Sequence, residues 1–520
     1  ETRFQGANLA GIDFGGADIS GLDFSGTTLE GANLERCVMN GTNFTEARFK
    51  GALFVPQDFA NARLQMADFS EMSLVGADFS ELNMQEADFK NCDLTGARFY
   101  KSFLSNVNFE GSKMDKVVFE EANLVDVSFA NFELRGIRFR KAFLHSADFT
   151  GATVDGCNFQ EAMLQGAHFD LRTFTNCILR GVNVSGGSLA GQQLSGIDLS
   201  GADLSNCDLT GVNFQGTNLS GANLQGASVT GAIFQGCSLA GLELSGLDFS
   251  GQNLQGVDFT SARLLNCVFS NADLSSADFS QANLQSANFQ GANLDGSVFR
   301  GADLSYADLI GTDLSLKDFR GARLSHANLT SANLDRANLS ECELEGANFS
   351  GVMLRRQNYT GFAFPGCTFA GAKLNNSNFS NCNFARASLR EADIMGADFT
   401  GAVFHEADLA GCDMAVTDVK HADFTGAYLS QATLKGANLE GAIFKGAKLC
   451  GVDLSHTDFR MFDFSGCDFS AANLENAVFQ MANVSGCTFS GTNMASANFR
   501  FAVVKEPVRF DDLPIGPVDY

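Results

Sequence analysis

The sequence of 520 residues lacks several things that ordinary proteins have: it contains no Trp, five Tyr and five Pro, and only 18% of its residues are charged. Globular domains are charged at about a quarter of their positions, so the chain is not a row of standard domains. No apolar run approaches the roughly 18 residues of a transmembrane helix, and there is no secretory signal. Its 45% of hydrophobic residues is nevertheless too high for a disordered chain.

Basic residues are also scarce: 35 Lys and Arg stand against 60 Asp and Glu, which gives a net charge of −25. A basic surface for nonspecific nucleic-acid binding is therefore excluded, and we expect no direct nucleic-acid partner. The missing apolar span likewise predicts no insertion into a membrane.

What the sequence has in abundance is a period of five. From Phe4 to Val504 every fifth residue is Leu, Phe, Ile, Val or Met, except Tyr359, and 43 of the 50 Phe lie in this frame. We call this frame the large column. Two residues earlier lies the small column, most often Ala, and the other three positions are mainly polar. A period of five fits neither a helix nor an alternating strand, but it fits a chain that turns a corner every five residues.

Four such sides close one coil of about 20 residues, a repeat length typical of a solenoid. In a short extended side, residues i and i−2 point the same way, so the large and small columns both face inward. About 25 coils stacked at about 4.8 Å predict a rod on the order of 120 Å long.

The units at 7–11, 202–206 and 397–401 read ANLAG, ADLSN and ADFTG. They resemble the units of the pentapeptide repeat family, and the resemblance covers residues 2–504. It implies an all-β fold, a right-handed quadrilateral parallel β-helix. We therefore assign residues 1–504 to the β-helix and residues 505–520, which hold three of the five prolines, to an extended capping or docking tail.

Two opposed interior sides hold most of the in-frame Phe. We expect one to form an unbroken ladder of Phe49, Phe69, Phe89, Phe109, Phe129, Phe149 and Phe169. The opposite ladder is predicted to contain Phe59, Phe79, Phe99 and Phe119. In the tail, Phe510, Leu513 and Ile515 are predicted to cover the last coil. Because the repeat is already running at Phe4 and the first residue is Glu1, we expect further sequence upstream, such as an N-terminal domain.

The Cys and His residues, which could be catalytic or bind a metal, occupy positions that the repeat itself explains. Thirteen of the 14 Cys lie in the small column, where they replace Ala as small buried hydrophobes. Cys157/Cys177 and Cys467/Cys487 stack in successive coils, but we expect parallel side chains to be poorly aimed for a disulfide. The six His lie in outward columns without metal-ligand spacing. The sequence therefore predicts no catalytic, cofactor-binding or metal site, no cofactor and no enzymatic activity.

Departures from the repeat are more informative. Long polar residues occupy the small column at Gln57, Arg172, Gln192, Gln252, Lys317 and Gln357. We expect each to sit on a local bulge that swings it outward, with Arg172 and Gln192 stacked in adjacent coils. The alternative is an irregular patch that a partner recognises.

A second departure is apolar and outward-facing. Phe103, Phe143 and Met163 fall on one face, with Tyr100 near its edge, and such a patch indicates an interface. A basic group in the same region either gives this interface polarity or is simply solvated; it consists of Arg135, Arg138, Arg140 and Lys141.

Two functions stay open. The first is a non-enzymatic scaffold or adaptor that presents its faces to protein partners. The second is suggested by the resemblance, since some family members mimic DNA and inhibit or protect type II topoisomerases such as gyrase. Large bacterial members attached to secretion-associated domains add an effector role to the first. Because free cysteines suit a reducing compartment, we expect a cytoplasmic protein, with export by a dedicated secretion system as the alternative.

Overall fold

The fold is a stack of 20-residue coils, as the period predicted. The computed structural model describes residues 4–434 and 436–510. The chain divides into two compact units, Glu1–Asp248 and Phe249–Tyr520. In both units parallel bridges join a residue to the one 20 positions later, as in Asn8↔Thr28 and Asn253↔Asp273. The bridging residue precedes the large residue, and we call its frame the bridge column.

Each corner is a four-residue turn. The backbone N–H of Ala7 donates to the carbonyl of Phe4 at 2.9 Å, and Gly6 between them has φ 67°. A positive φ at the third residue is the mark of a type II turn, and it favours Gly. We call the frame of Gly6 the turn column. Its residues have positive φ throughout the described coils except at Pro56 and Leu171.

The interior is built from ring ladders. Phe49 and Phe69 stack with centroids 4.9 Å apart and planes 8° apart, while Phe79 meets Phe89 edge-on at 5.6 Å. Stacking along a ladder and edge contacts across the interior are the two preferred aromatic geometries. All the predicted ladder residues up to Phe159 are buried.

The predicted ladder ends before Phe169, which is only half-buried. Leu171, a turn-column residue, is buried instead, and the ring of Phe174 stacks on that of Phe159 at 5.2 Å. The expectation of an unbroken ladder through Phe169 is therefore wrong at its last member.

Regular elements are few, because each side of a coil is short. Strands β1 (Glu133–Arg135), β2 (Thr153–Asp155) and β3 (Phe174–Thr175) form one parallel sheet in the order β1-β2-β3. Two 3₁₀ helices, Pro56–Phe59 and Leu171–Thr173, replace the ordinary turn. Within the described ranges, no helix is long and apolar enough to cross a membrane.

The six long polar residues of the small column differ in how far they are buried. Gln57 and Arg172 lie in the 3₁₀ helices and are exposed, as the predicted bulges require. Gln252 and Lys317 are buried, each with 6% of its surface exposed, so the prediction is wrong for both.

Gln192 and Gln357 are half-buried in coils with ordinary turns. The expected stacking of Arg172 and Gln192 is also wrong. The Gln192 Oε1 accepts from the backbone N–H of Leu171 at 3.0 Å, while the Arg172 guanidinium turns away to Asp170.

The described part of the tail adds to the last coil. The backbone of Arg509 bridges Thr488, and its N–H donates to the carbonyl of Cys487 at 2.9 Å. The regular repeat would have paired Thr488 with Val508, so the tail carries one extra residue at this point. Phe510 lies parallel to the ring of Phe489 at 5.6 Å and is 44% exposed. The other two predicted cap residues, Leu513 and Ile515, lie outside the described residues.

Candidate interaction face

The bridge column points outward and is normally Asp or Asn, for a structural reason. The Oδ1 of Asp13 accepts from the N–H of Gly15 at 2.9 Å and from the Nδ2 of Asn33 in the next coil at 2.9 Å. The same pattern recurs along the described coils. Asp and Asn are therefore selected because their side chains bond to backbone groups two residues on.

Apolar residues interrupt this column on one side of the first unit. Consecutive bridges join Asn83, Phe103, Asn123, Phe143 and Met163, so these five lie in successive coils. Phe103 is 49% exposed, Phe143 is 39% exposed and Met163 is half-buried. In a protein that buries most of its Phe, two exposed rings two coils apart form a distinct surface.

An open groove lies between these rings. It has a volume of about 470 Å³ and is lined by Glu81, Lys101, Ser102, Phe103, Glu121, Asn123 and Phe143. We call it the Phe103–Phe143 groove. The rings stand two coil spacings apart, roughly 10 Å, which leaves room for one apolar side chain between them.

Asn123 lies between the two rings. Its Oδ1 accepts from the Ser105 hydroxyl at 3.1 Å and from the Val125 N–H at 3.2 Å. Its Nδ2 has no hydrogen-bond partner in the described part of the chain. Elsewhere that group donates to an Asp of the preceding coil, as Asn108 does to Asp88 at 3.0 Å. Here the preceding residue is Phe103, so the amide donors stay available to a bound group.

The turn column supplies a charged edge to the groove. Its residues in successive coils alternate in sign: Glu81, Lys101, Glu121, Lys141 and Glu161. The Nζ of Lys101 lies 3.6 Å from Glu121, and that of Lys141 lies 3.4 Å from Glu161. Exposed pairs like these contribute little to the stability of the fold, but they give the edge an alternating charge pattern.

Tyr100 supports this edge. The Nζ of Lys101 lies 5.0 Å from the centroid of its ring, a cation–π distance. Contact with Tyr100, followed by the charge of Glu121, raises the pKa of Lys101 above its ordinary value.

The structure brings only part of the predicted basic group to this face. Arg140 and Tyr100 both occupy the corner that carries Lys101 and Lys141. Arg138 lies on the neighbouring side, where it bridges Val118 and Asn158 and pairs with Glu120 at 3.7 Å. Arg135 lies at the far corner of that side and pairs with Glu133 at 3.1 Å.

Sequence reasoning missed five of the lining residues, Glu81, Lys101, Ser102, Glu121 and Asn123. For all of them except Ser102 the signal was present in the sequence, because each lies one coil away from another lining residue of the same column. Stepping by 20 from Phe103 finds Asn123, and stepping by 20 from Lys101 finds Glu81 and Glu121.

The cysteines of the inward small column do not line this groove. The Sγ of Cys367 donates to the carbonyl of Leu344 at 2.9 Å, much as Thr42 donates to Ile19 at 2.9 Å. Burial raises the pKa of Cys367 to about 12, which keeps the thiol protonated and unreactive. In residues 4–434 and 436–510, no three His, Cys, Asp or Glu come together as a metal site.

Comparison with known proteins agrees with this architecture. A family model described as pentapeptide repeat region matches residues 82–159. A second, described as pentapeptide repeats (8 copies), matches residues 1–91, 143–251, 253–316, 318–356, 364–470 and 472–503 in overlapping or adjoining segments. A comparison with curated proteins gave no match.

Several solved structures are similar to this chain. Full-length QnrB1, a plasmid-mediated fluoroquinolone resistance protein, is 17% identical over 52% of this chain and 93% of its own, with a TM-score of 0.15. HetL of the cyanobacterium Nostoc sp. strain PCC 7120, involved in heterocyst differentiation regulation, is 24% identical over 50% and 89%, with a TM-score of 0.10.

Rfr23 of the cyanobacterium Cyanothece 51142 is 18% identical over 27% of this chain and 85% of its own, with a TM-score of 0.13. At these identities and TM-scores the likenesses carry no argument about fold or function. The five-residue frame, the 20-residue coil and the matched family models together give the conclusion that this chain belongs to the pentapeptide repeat family.

Proposed function

We propose that the protein is a non-enzymatic scaffold that binds a protein partner through the Phe103–Phe143 groove. Pentapeptide repeat proteins are generally structural or interaction proteins. The observation that carries the proposal is the pair of exposed rings, Phe103 and Phe143, facing a groove with a charged edge. An apolar surface with a polar rim is the usual form of a protein interface.

The groove defines the chemistry of the partner. One large apolar side chain of the partner inserts between Phe103 and Phe143. A carbonyl or carboxylate oxygen beside that side chain accepts from the Asn123 Nδ2. Outside the groove, the partner presents charges complementary to the alternating turn-column edge, which sets the register in which it docks.

The test compares affinity purifications from cells, with the recovered proteins quantified by mass spectrometry. We expect Phe103→Ser combined with Phe143→Ser to reduce recovery of the specific partner at least ten-fold. Tyr428→Ser is the matched control, because Tyr428 is 50% exposed in a bridge column of the second unit. Equal recovery with the parent and the double variant would remove the groove from consideration.

A second candidate function is mimicry of DNA toward a type II topoisomerase such as gyrase. Residues 181–299 favour it, since they contain nine acidic residues and only one basic residue, Arg263. At the strand spacing one coil corresponds to about 4.8 Å, over which duplex DNA carries roughly three charges; the net charge of −8 divided among these six coils is about half of that per coil.

Part of that acidity also serves the fold. Asp198 accepts from the Ser200 N–H at 3.0 Å and from the Asn218 Nδ2 at 2.9 Å. The two candidates are separated by a gyrase supercoiling assay. Stoichiometric inhibition of supercoiling supports mimicry, and unchanged supercoiling supports the scaffold.

We also propose a cytoplasmic location, with export by a dedicated secretion system as the alternative. The support is that the 14 cysteines, all within the described part of the chain, form no disulfide, as expected in a reducing compartment. Cell fractionation with an epitope tag tests it, and recovery of the protein outside the cell would favour export.

A further inference from the structure

Two cysteines of the small column differ from the rest. Strands β2 and β3 pair in register, Val154 with Phe174 and Asp155 with Thr175, so Cys157 and Cys177 follow at the same level of successive coils. Neighbouring coils lie about 4.8 Å apart, which is within the Cα separation that a disulfide spans.

The two thiols differ in access. Cys157 is fully buried, whereas Cys177 is half-buried and its Sγ lies 3.3 Å from the Thr175 carbonyl at the surface. The 3₁₀ helix Leu171–Thr173 replaces the turn just before β3. The neighbouring Cys157 thiol lowers the pKa of Cys177, whereas burial raises the pKa of an ordinary inward thiol such as Cys412 to about 12.

Each thiol contacts two backbone carbonyls. The Sγ of Cys157 lies 3.6 Å from the carbonyls of both Leu134 and Asp155, and that of Cys177 lies 3.6 Å from the Val154 carbonyl in addition to its contact with Thr175. Neither thiol is therefore held in one orientation by a single acceptor.

A built-in comparison exists in the second unit. Cys467 and Cys487 have the same spacing, but both are buried and donate to carbonyls at 2.8 and 3.0 Å. Burial raises the pKa of both thiols, that of Cys487 to about 12.

We propose that Cys177 and Cys157 form a redox-modification site at which a peroxide oxidises Cys177 and Cys157 then closes a disulfide between successive coils. The Cys177 thiolate attacks the peroxide and takes one oxygen as a sulfenic acid, while the O–O bond breaks and the other oxygen leaves as water after protonation. The Cys157 sulfur then forms the S–S bond, loses its proton and displaces the sulfenic oxygen as a second water. Two thiols are oxidised, and one hydrogen peroxide is reduced to two waters.

The test treats the folded, full chain with hydrogen peroxide, blocks the remaining thiols and maps disulfides by peptide mass spectrometry. We expect a Cys157–Cys177 bridge to form at least ten-fold faster than any bridge between Cys467 and Cys487. Equal rates at the two pairs, or no bridge at either, would overturn the proposal.

Two variants check the order of the steps. In Cys157→Ser, dimedone traps a sulfenic acid on Cys177 that the parent does not accumulate. In Cys177→Ser, Cys157 stays reduced. Serine is tolerated in this column, since Ser102 and Ser112 are buried there. Oxidation of Cys157 in the Cys177→Ser variant would contradict the assignment of Cys177 as the attacking thiol.

Discussion

Two coils of this protein carry the same kind of dipeptide at the turn-column and small-column positions and fold differently. Leu171-Arg172 in the first unit and Leu316-Lys317 in the second each place a leucine in the turn column and a base in the small column. Leu171 is 4% exposed and starts a 3₁₀ helix, whereas Leu316 is 70% exposed and keeps the left-handed turn with φ 60°.

The difference lies in how each base is satisfied. Arg172 turns outward, where its Nε donates to Asp170 at 2.8 Å, and Leu171 fills the interior position that it leaves. Lys317 stays buried and its Nζ donates to the Ser315 carbonyl at 3.3 Å. A guanidinium has five donors in a rigid fork, which one carbonyl cannot satisfy, while a single ammonium on a flexible stem can reach one.

In these two coils, the position of the long residue follows that of its hydrogen-bond partner: Lys317 stays inside, where it reaches the Ser315 carbonyl. Where the partner lies outside, as Asp170 does, the turn itself is rebuilt. Pro56 shows the second route to the same 3₁₀ turn, because its ring holds φ negative and forbids the left-handed conformation.

The largest expected effect distinguishes the two leucines. Leu171→Ala should lower the free energy of unfolding by about 2–4 kcal/mol, because it removes a buried side chain and leaves a cavity. Leu316→Ala should change it by less than about 0.5 kcal/mol, because that side chain is exposed. Urea unfolding of both variants measures the difference. Similar losses of unfolding free energy in the two variants would contradict the assignment of Leu171 to the interior and Leu316 to the surface.

An intermediate change in the free energy of unfolding is expected when glycine replaces Leu316. Leu316→Gly should raise the free energy of unfolding by up to about 1 kcal/mol, because the left-handed conformation costs a branched residue more than it costs glycine. Leu171→Gly should lower it at least as much as Leu171→Ala does. Urea unfolding of both glycine variants measures these changes in the free energy of unfolding. A loss of stability in Leu316→Gly would show that its turn is not strained.

The smallest expected effect is on the pH dependence of stability in acid. Hydrogen bonding from Arg172 lowers the pKa of Asp170 in the folded protein. This stabilisation is present above the unfolded value of about 3.9 and is lost as pH falls through the lower folded value.

Arg172→Gln should therefore flatten the acid-side decline in stability. Lys317→Gln should leave that decline nearly unchanged. The pKa of the neighbouring Asp313 is lowered mainly by hydrogen bonds from Ser315, and the charge of Lys317 is a smaller cause. Thermal unfolding between about pH 2 and 5 measures both. Equal slopes for the parent and Arg172→Gln would contradict the prediction.

The candidate face was only partly readable from the sequence. Exposed Phe103 and Phe143 break the polar rule of the bridge column, and that alone located the surface. Asn123 obeys the rule and so carried no local signal. Its significance comes from the apolar residues 20 positions before and after it, which leave its Nδ2 without the usual Asp acceptor. Arg135 and Arg138 are near the face in sequence, but the corners of the coil carry them onto a different side.

The sequence by itself determined the coil, because a period of five places the large side chains inside and the polar ones outside when the chain turns a corner every five residues. It also determined which columns face inward. Only the tertiary structure decided how exceptions are accommodated, such as Leu171 inside and Leu316 outside. Those outcomes depend on whether a hydrogen-bond partner lies within a few ångströms of the side chain, and a local pattern does not contain that information.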